Sequence, residues 1–427
     1  MEGPARKGAL GEAYQPPPPE PSGEKTLNVA LYPYVPSPLS FVVAIELLWK
    51  NLRPDYQLNW YFYDCYHEEP PPTIDVFAFD CIYVDDLVAA AKVDPIAQAE
   101  IVDFADIMPF AVSAAAIAGQ GGSFAGIPYL GCMSVLYHRA ADKAFESPPL
   151  SIEALLKILG NAKYEGPEPG SNEGLLVDLG GKTTDACLYA SCWRSETNSW
   201  WPTSMPMPIP PRLEPEPMGA LRALRNMGGT KQAQFHDSGY ARTNWFESGL
   251  GRALVGLTET MSGWSPETID ELRLCPLPIS LGSDARKVPC YADAVGIRPG
   301  LGEEREAALQ LANVISSVEV ARLTTMSDGA HAQYLTPSRR STLEELSEAP
   351  YVAARYKEIR QVLVGGEYEP VPFRLGKGVR AWAKPAGEAI IAELFPKAKD
   401  EPEAFFARPP RHHGYGRTPA GLWRRER

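Results

Sequence analysis

The sequence predicts an α/β fold on a mostly parallel sheet, and three observations carry that expectation. Short apolar runs alternate along the chain with stretches of helical periodicity, the pattern of strand–helix–strand units. Hydrophobic residues make up 44% of the chain and aromatic residues 10%, enough for a sizeable core. The 427 residues exceed one ordinary domain, so two or three units of roughly 100–200 residues are expected.

Residues 1–25 carry a proline run and read as a disordered, polyproline-like leader. Residues 27–32 form the first apolar run, stopped by Pro33 and Pro36. Over 41–52 the side chains of Phe41, Ile45, Leu48, Trp49 and Leu52 fall on one helical face, and Pro54 ends the helix. Leu58, Trp60 and Phe62 alternate with Asn59, Tyr61 and Tyr63, which predicts a second strand. Residues 75–80 read as a buried strand followed by a helical segment through Ala91. Residues 126–137 read as a long strand kinked near Pro128. A helix over 147–159 has Ser151 as its cap and Glu153 in its first turn. A polar loop (165–173), a strand (175–178) and a helix from near Lys182 come next. The proline-rich stretch 200–217 reads as a long surface loop, and 253–257 as a strand ending at Thr258-Glu259. One helix is expected over 303–320, with Ala307, Leu311, Val314 and Ile315 on its buried side. After about Lys397 charge and proline return, and 398–427 reads as a basic, disordered tail.

A net charge of −12 argues against a nucleic-acid platform, which needs a basic stripe, and is compatible with a cationic substrate. Seven cysteines, an odd number with no CxxC pair, argue against a disulfide framework and for a reducing compartment. The first 25 residues lack the apolar core of a secretory signal, and no window of about 18 apolar residues offers a membrane span. A cytoplasmic protein without membrane contact is therefore expected.

Several apparent motifs fall away on spacing. Gly180-Gly-Lys-Thr-Thr184 resembles the end of a phosphate loop, but the required glycine is Leu176, so a helix cap is the simpler reading. His412 and His413 lie in the basic tail without partner ligands, and no metal site is expected. His138, at the end of an apolar strand, reads as a hydrogen-bonded structural residue, and neither HExxH nor GxSxG occurs. What remains are polar groups at strand ends, where open α/β sheets place their ligands. Tyr32 and Tyr34 follow the first strand, Asp80 ends another, Glu259 follows 253–257, and Asp293 follows Cys290-Tyr291. Cys132 by itself reads as a core cysteine. These residues describe a cleft of acids and tyrosines without naming a reaction.

Longer blocks go further. Asn28-Val-Ala-Leu-Tyr-Pro-Tyr-Val-Pro36, Asp75-Val-Phe-Ala-Phe-Asp80 and Gly126-Ile-Pro-Tyr-Leu-Gly-Cys132 resemble segments of the thiaminase I (thiamine pyridinylase) family. So do Gly174-Leu-Leu-Val-Asp-Leu-Gly-Gly181, Gly251-Arg-Ala-Leu-Val-Gly-Leu-Thr-Glu-Thr-Met261, Tyr291-Ala-Asp293, Gln333-Tyr-Leu335 and Phe373-Arg-Leu-Gly376. The blocks keep the family order from about residue 27 to about 385.

The resemblance implies a type 2 periplasmic-binding-protein-like fold, with two α/β lobes flanking a ligand cleft. The expected lobes are 26–128 with 286–345, and 129–285 with 346–397. It implies a transferase that replaces the thiazole of thiamine, or of a related pyrimidine, with a second nucleophile. Cys132 matches the family's nucleophile and Glu259 the acid that takes its proton. Asp80 and Asp293 match cleft acids, and Tyr32, Tyr34, Tyr66, Tyr240 and Tyr291 match substrate-binding aromatic positions. No cofactor is implied, only the small-molecule substrate and a nucleophilic co-substrate, with a monomer as the working unit. Leu257, two residues before Glu259, stands where an aromatic is expected of the family. The alternative is a non-catalytic binding protein for thiamine or a similar heterocycle, which needs neither Cys132 nor Glu259.

Overall fold

In the computed structural model the described residues are 25–31, 35–166, 168–198, 213–236, 240–283, 286–325 and 332–396. The predicted leader (apart from Lys25) and the predicted tail lie outside them, as do Tyr32 and Tyr34. No helix among the described residues is long and apolar enough to cross a membrane.

Three parallel strands open the chain: β1 (Lys25–Leu31), β2 (Tyr56–Phe62) and β3 (Val76–Asp80), with β1 between the other two. Helix α1 (Pro38–Leu52) links β1 to β2 and starts with Pro38, where a missing N–H costs nothing. It buries Phe41, Ala44, Ile45 and Trp49. Leu52, assigned to the same face by periodicity, is 54% exposed because the helix ends there, capped at Arg53. After β3 the Asp80 carboxylate accepts from Ile82 N at 2.9 Å and starts a single tight turn. The helix expected through Ala91 then shortens to α2 (Val84–Ala89).

A short ribbon of β4 (Ile96–Ala97) and β5 (Ser123–Phe124) brackets α3 (Pro109–Ala115). The next strand, β6 (Ile127–Arg139), is the long one expected around Pro128. Helix α4 (Ile152–Leu159) follows; it starts later than the predicted 147–159 because Ser151 Oγ accepts from Ala154 N at 3.1 Å and sets the first turn. The strand predicted over 175–178 pairs only at β7 (Leu175–Leu176), since Asp178 turns its carboxylate back to Gly180 N at 2.9 Å. Then come α5 (Lys182–Thr197), α6 (Pro215–Gly228), α7 (Thr230–Gln234) and α8 (Tyr240–Glu247). Residues 200–212 of the expected proline loop lie outside the described residues, but 215–217 are the first turn of α6. Two prolines are tolerated there, where N–H groups have no helical partner.

Strand β8 (Ala253–Leu257) matches the sequence expectation and leads through a tight turn, Thr258–Gly263, into α9 (Pro266–Glu271) and β9 (Leu272–Pro276). Strand β10 (Lys287–Ile297) precedes α10 (Arg305–Ile315) and α11 (Val318–Thr325). The single helix expected over 303–320 is thus broken at Ser316. Arg339 Nε donates to the Ser316 carbonyl at 2.7 Å, and Ser316 Oγ donates to Ile127 O at 3.2 Å. Ala307, Leu311 and Ile315 are buried as predicted, with Val314 at the edge of the core. The chain ends with β11 (Thr336–Pro337), α12 (Arg340–Glu348), α13 (Ala353–Val364), β12 (Glu369–Pro372) and α14 (Val379–Leu394).

The main sheet runs β2-β1-β3-β10-β6-β8-β7, with β9 and β11 also on β6 and β12 on β10. It is parallel at β1, β2 and β3, at β7 with β8, and at β10 with β12. The remaining pairings, all those of β6 and that of β10 with β3, are antiparallel, which corrects the mostly parallel expectation. Alternating local units predict the direction of neighbours in sequence. They carry no information about β6 and β10, which meet across a long stretch of chain.

Strand β6 belongs to both halves of the sheet. Ile127 to Met133 pairs with β10, and Ser134 to Arg139 with β8 and β9. The kink read at Pro128 is a bulge: Asp293 faces Leu130, Ala294 faces Pro128, and Tyr129 has no ladder partner. At Gly131 a Cβ would lie 2.1 Å from the Tyr291 carbonyl oxygen, so only glycine lets β6 and β10 approach here.

Candidate active site

Register gathers the candidate residues. Cys132 on β6 faces Tyr291 on β10, and Asp293, two residues on, faces Asp80 at the end of β3. Opposed residues share a sheet face, and so do residues two apart on a strand. Cys132, Tyr291, Asp293 and Asp80 therefore stand on one face. Leu257, the last residue of β8, faces Ser134 and joins the same side. Glu259 is carried by the turn after β8, and its carboxylate hydrogen-bonds the Cys132 thiol.

Supporting groups fix each side chain. Tyr66 OH donates to Asp80 Oδ2 at 2.8 Å, and its ring meets Tyr83 edge-on with centroids 5.8 Å apart. The Tyr291 ring lies 4.7 Å from Phe373 and its hydroxyl hydrogen-bonds Ser134. Tyr137 OH donates to the carbonyls of Leu257 at 2.8 Å and Thr258 at 3.1 Å, which holds the turn bearing Glu259.

Electrostatics follow from taking acids out of water. Burial pushes Glu259 up to about 7, against the hydrogen bonds from its own backbone, Thr258 and Cys132. Burial likewise raises Asp80 to about 6, offset by Ile82 N and Tyr66 OH. The Cys132 thiol is pushed well above its ordinary value, first by burial and then by the charges of Glu259, Asp293 and Asp80. Cys132 thus rests as a thiol. Cys132 alone of the seven cysteines is partly exposed, and all seven are free.

Other expectations resolve differently. Tyr32 and Tyr34 lie outside the described residues, and so does the side chain of Tyr240, whose backbone opens α8. His138 stacks on Phe145 at 4.6 Å with its Nδ1 3.1 Å from Arg139 O, the structural role expected of it. Gly181 caps α5. No group of three or more metal-ligating side chains occurs among the described residues. Sequence reading missed Ser134, Tyr137, Thr258, Thr336, Tyr83 and Phe373. Period-two spacing from Cys132 points to Ser134, Thr258 adjoins Glu259 and Phe373 opens one of the family-like blocks, but Thr336 carries no local signal.

The Thiaminase-1 domain model matches residues 133–280, which include Glu259 and start one residue after Cys132. Thiaminase-1 of Paenibacillus thiaminolyticus is 31% identical over 379 residues, covering 87% of this chain and 89% of that protein. The chain belongs to the thiaminase I family. Clostridium botulinum thiaminase I, solved in complex with thiamin, superposes with a TM-score of 0.78 at 30% identity and covers 86% of this chain and 99% of its own. Maltose-bound MalE3 of T. maritima gives a TM-score of 0.59 at 15% identity, covering 86% and 98%, and shares the fold alone. The thiaminase I fold here is thus the type 2 periplasmic-binding-protein-like fold that the sequence resemblance implied, two α/β lobes flanking a cleft.

Proposed function

We propose that the protein is a thiamine-degrading transferase working through a covalent Cys132–pyrimidine intermediate. The observation that carries this reading is the Cys132–Glu259 hydrogen bond, with the carboxyl raised to about 7 and two further acids on the same sheet face. Glu259 takes the thiol proton, and the sulfur electron pair adds to C6 of the aminopyrimidine. The C–N bond to the thiazolium then breaks and its electrons leave with the neutral thiazole. A second nucleophile, an aromatic amine, pyridine or thiol, adds at the exocyclic methylene. The C–S bond breaks and Cys132 recovers its proton from Glu259. An acid near neutrality suits both directions of that transfer.

Asp80 and Asp293 hold the pyrimidine amino group or offset the thiazolium charge, and Tyr66 and Tyr291 stack on the ring or hydrogen-bond to it. Tyr32, Tyr34 and Tyr240 complete the proposed substrate set. Cys132, Glu259, Asp80 and Asp293 come from one chain, and a monomer is the proposed unit. The proposed lobes are 26–128 with 286–345, and 129–285 with 346–397.

The test is thiazole release from thiamine with aniline or pyridine, run beside Cys132→Ser and Glu259→Gln. Turnover by the wild type, with losses of about a thousandfold or more in each variant, is expected. Thiamine binding without thiazole release in the wild type moves the reading to the binding class, whose fold the chain shares.

A further inference from the structure

Burial alone would leave Glu259 protonated and unable to take a proton from Cys132, so something must favour its ionised form. Among the described residues no cation does this; the groups holding its titration down are its own backbone, Thr258 and the Cys132 thiol. Thr258 Oγ1 donates to Glu259 Oε2 at 3.3 Å and lies 3.2 Å from Thr336 Oγ1. Both threonines are 0% exposed. Thr336 sits on β11 opposite Gly131, the residue before Cys132, so β11 ties this pair to the strand that carries the thiol.

A hydroxyl has one proton and two lone pairs. With the Thr258 proton directed at Glu259, the Thr258 oxygen is left as an acceptor, and Thr336 is its donor. The pair then has a direction, Thr336 to Thr258 to carboxylate. Donors aimed at an acid favour its charged form, and in a buried setting that preference is felt strongly.

Beyond the Cys132 thiol itself, the other titratable neighbours do not supply this. Cys132 and Tyr137 face Glu259 from β6, and Tyr356 of α13 also feels its charge. Tyr137 has its proton on the Leu257 and Thr258 carbonyls. Tyr356 OH donates to Leu335 O at 3.0 Å. From α8, which packs on the same turn, Arg242 reaches Asp178 and Glu247 reaches Ser265 and Thr268.

We propose that Thr258 and Thr336 are positioning residues for the base, a directed hydroxyl pair that holds Glu259 ionised and aimed at the Cys132 thiol. This rests on Glu259 being the proton acceptor. In the step they support, the Cys132 S–H bond breaks, the electron pair stays on sulfur and the proton passes to Glu259.

The test uses the purified full chain and the pH dependence of Cys132 alkylation by iodoacetamide, read as adduct mass, which needs no thiamine turnover. In the wild type the rate rises through pH about 7. In Thr258→Val, which keeps shape and removes the donor, the midpoint moves up by about half a unit to one unit, with the alkylation rate on the acid side down about threefold to tenfold. Thr258→Ser restores the wild-type profile, and Thr336→Val shifts it the same way by less. A wild-type midpoint in Thr258→Val, or a loss that serine does not restore, overturns the proposal. So does an alkylation profile that is the same in Glu259→Gln as in the wild type. If the wild type releases no thiazole but the threonine variants still shift the alkylation midpoint, the substrate reading fails and this one stands. Should Thr258→Val fail to fold, the Thr336→Val shift decides, since an unmoved midpoint there excludes the directed pair.

Discussion

At the residue scale, the candidate site opposes two effects of burial. Water exclusion favours the neutral form of both the Cys132 thiol and the Glu259 carboxyl, and hydrogen bonds to that carboxyl from its own backbone, Thr258 and Cys132 oppose it. Cys132 is the one cysteine of the seven that is not buried, so incubation with a 4-amino-6-chloropyrimidine is expected to give one adduct, at Cys132, by mass spectrometry. Labels spread over the other six would remove it from the nucleophile role. The same physics predicts stability against pH. Asp185 in the first turn of α5 is 0% exposed, neither carboxylate oxygen has a partner, and burial raises it to about 8 from 3.8. A raised acid makes the folded state bind more protons than the unfolded chain between those values. Its favourable contribution is therefore complete below about 3.8 and is lost as pH rises through about 8. Asp185→Asn is expected to raise the melting temperature above pH 8 and to change little near pH 4, and thermal melts at the two pH values decide it. Glu259→Gln follows the same sign between 4.5 and about 7. Nothing in the sequence marked Asp185, because its burial depends on the packing of α5 against α14 and α6.

At the element scale, strands with strong local signals were legible and their partners were not. The expected strand 253–257 coincides with β8, and 75–80 with β3, since both are short apolar runs bounded by polar residues. The helix expected over 303–320 breaks where Ser316 is claimed by Arg339 and Ile127, contacts from far along the chain. Gly131 is the element-scale test. Gly131→Ala places a methyl group 2.1 Å from the Tyr291 carbonyl oxygen, so β6 and β10 must separate where Cys132 faces Tyr291. A loss of about 3 kcal/mol in urea unfolding is expected, together with slower Cys132 alkylation. Ser151→Ala removes the cap of α4 and is expected to cost about 1 kcal/mol, leaving alkylation unchanged.

At the scale of the whole molecule, one buried arginine ties distant segments together. Arg374, 0% exposed, pairs with Asp85 and donates to the carbonyls of Ala114 at 3.3 Å and Ala116 at 2.5 Å. It thereby joins the segment after β12 to α2 and α3. Arg374→Met strands a nearly buried carboxylate, and a loss of about 3–5 kcal/mol in urea unfolding is expected, with much of it recovered in Arg374→Met/Asp85→Leu. Equal stability of the single and double variants would show that packing, not the ion pair, sets the cost. The sequence by itself determined the α/β class, most strand and helix positions and, through its ordered blocks, the family, and it singled out Cys132, Glu259, Asp80, Asp293, Tyr66 and Tyr291 as candidates. Those properties reside in local periodicity or in short contiguous motifs. Only the tertiary structure decided that the central strands run antiparallel, that register sets Cys132, Tyr291, Asp293 and Asp80 on one face, and that Thr336 stands behind Thr258 and Glu259. Each depends on pairing between segments far apart in the chain, where no local preference of the backbone or side chains encodes the partner.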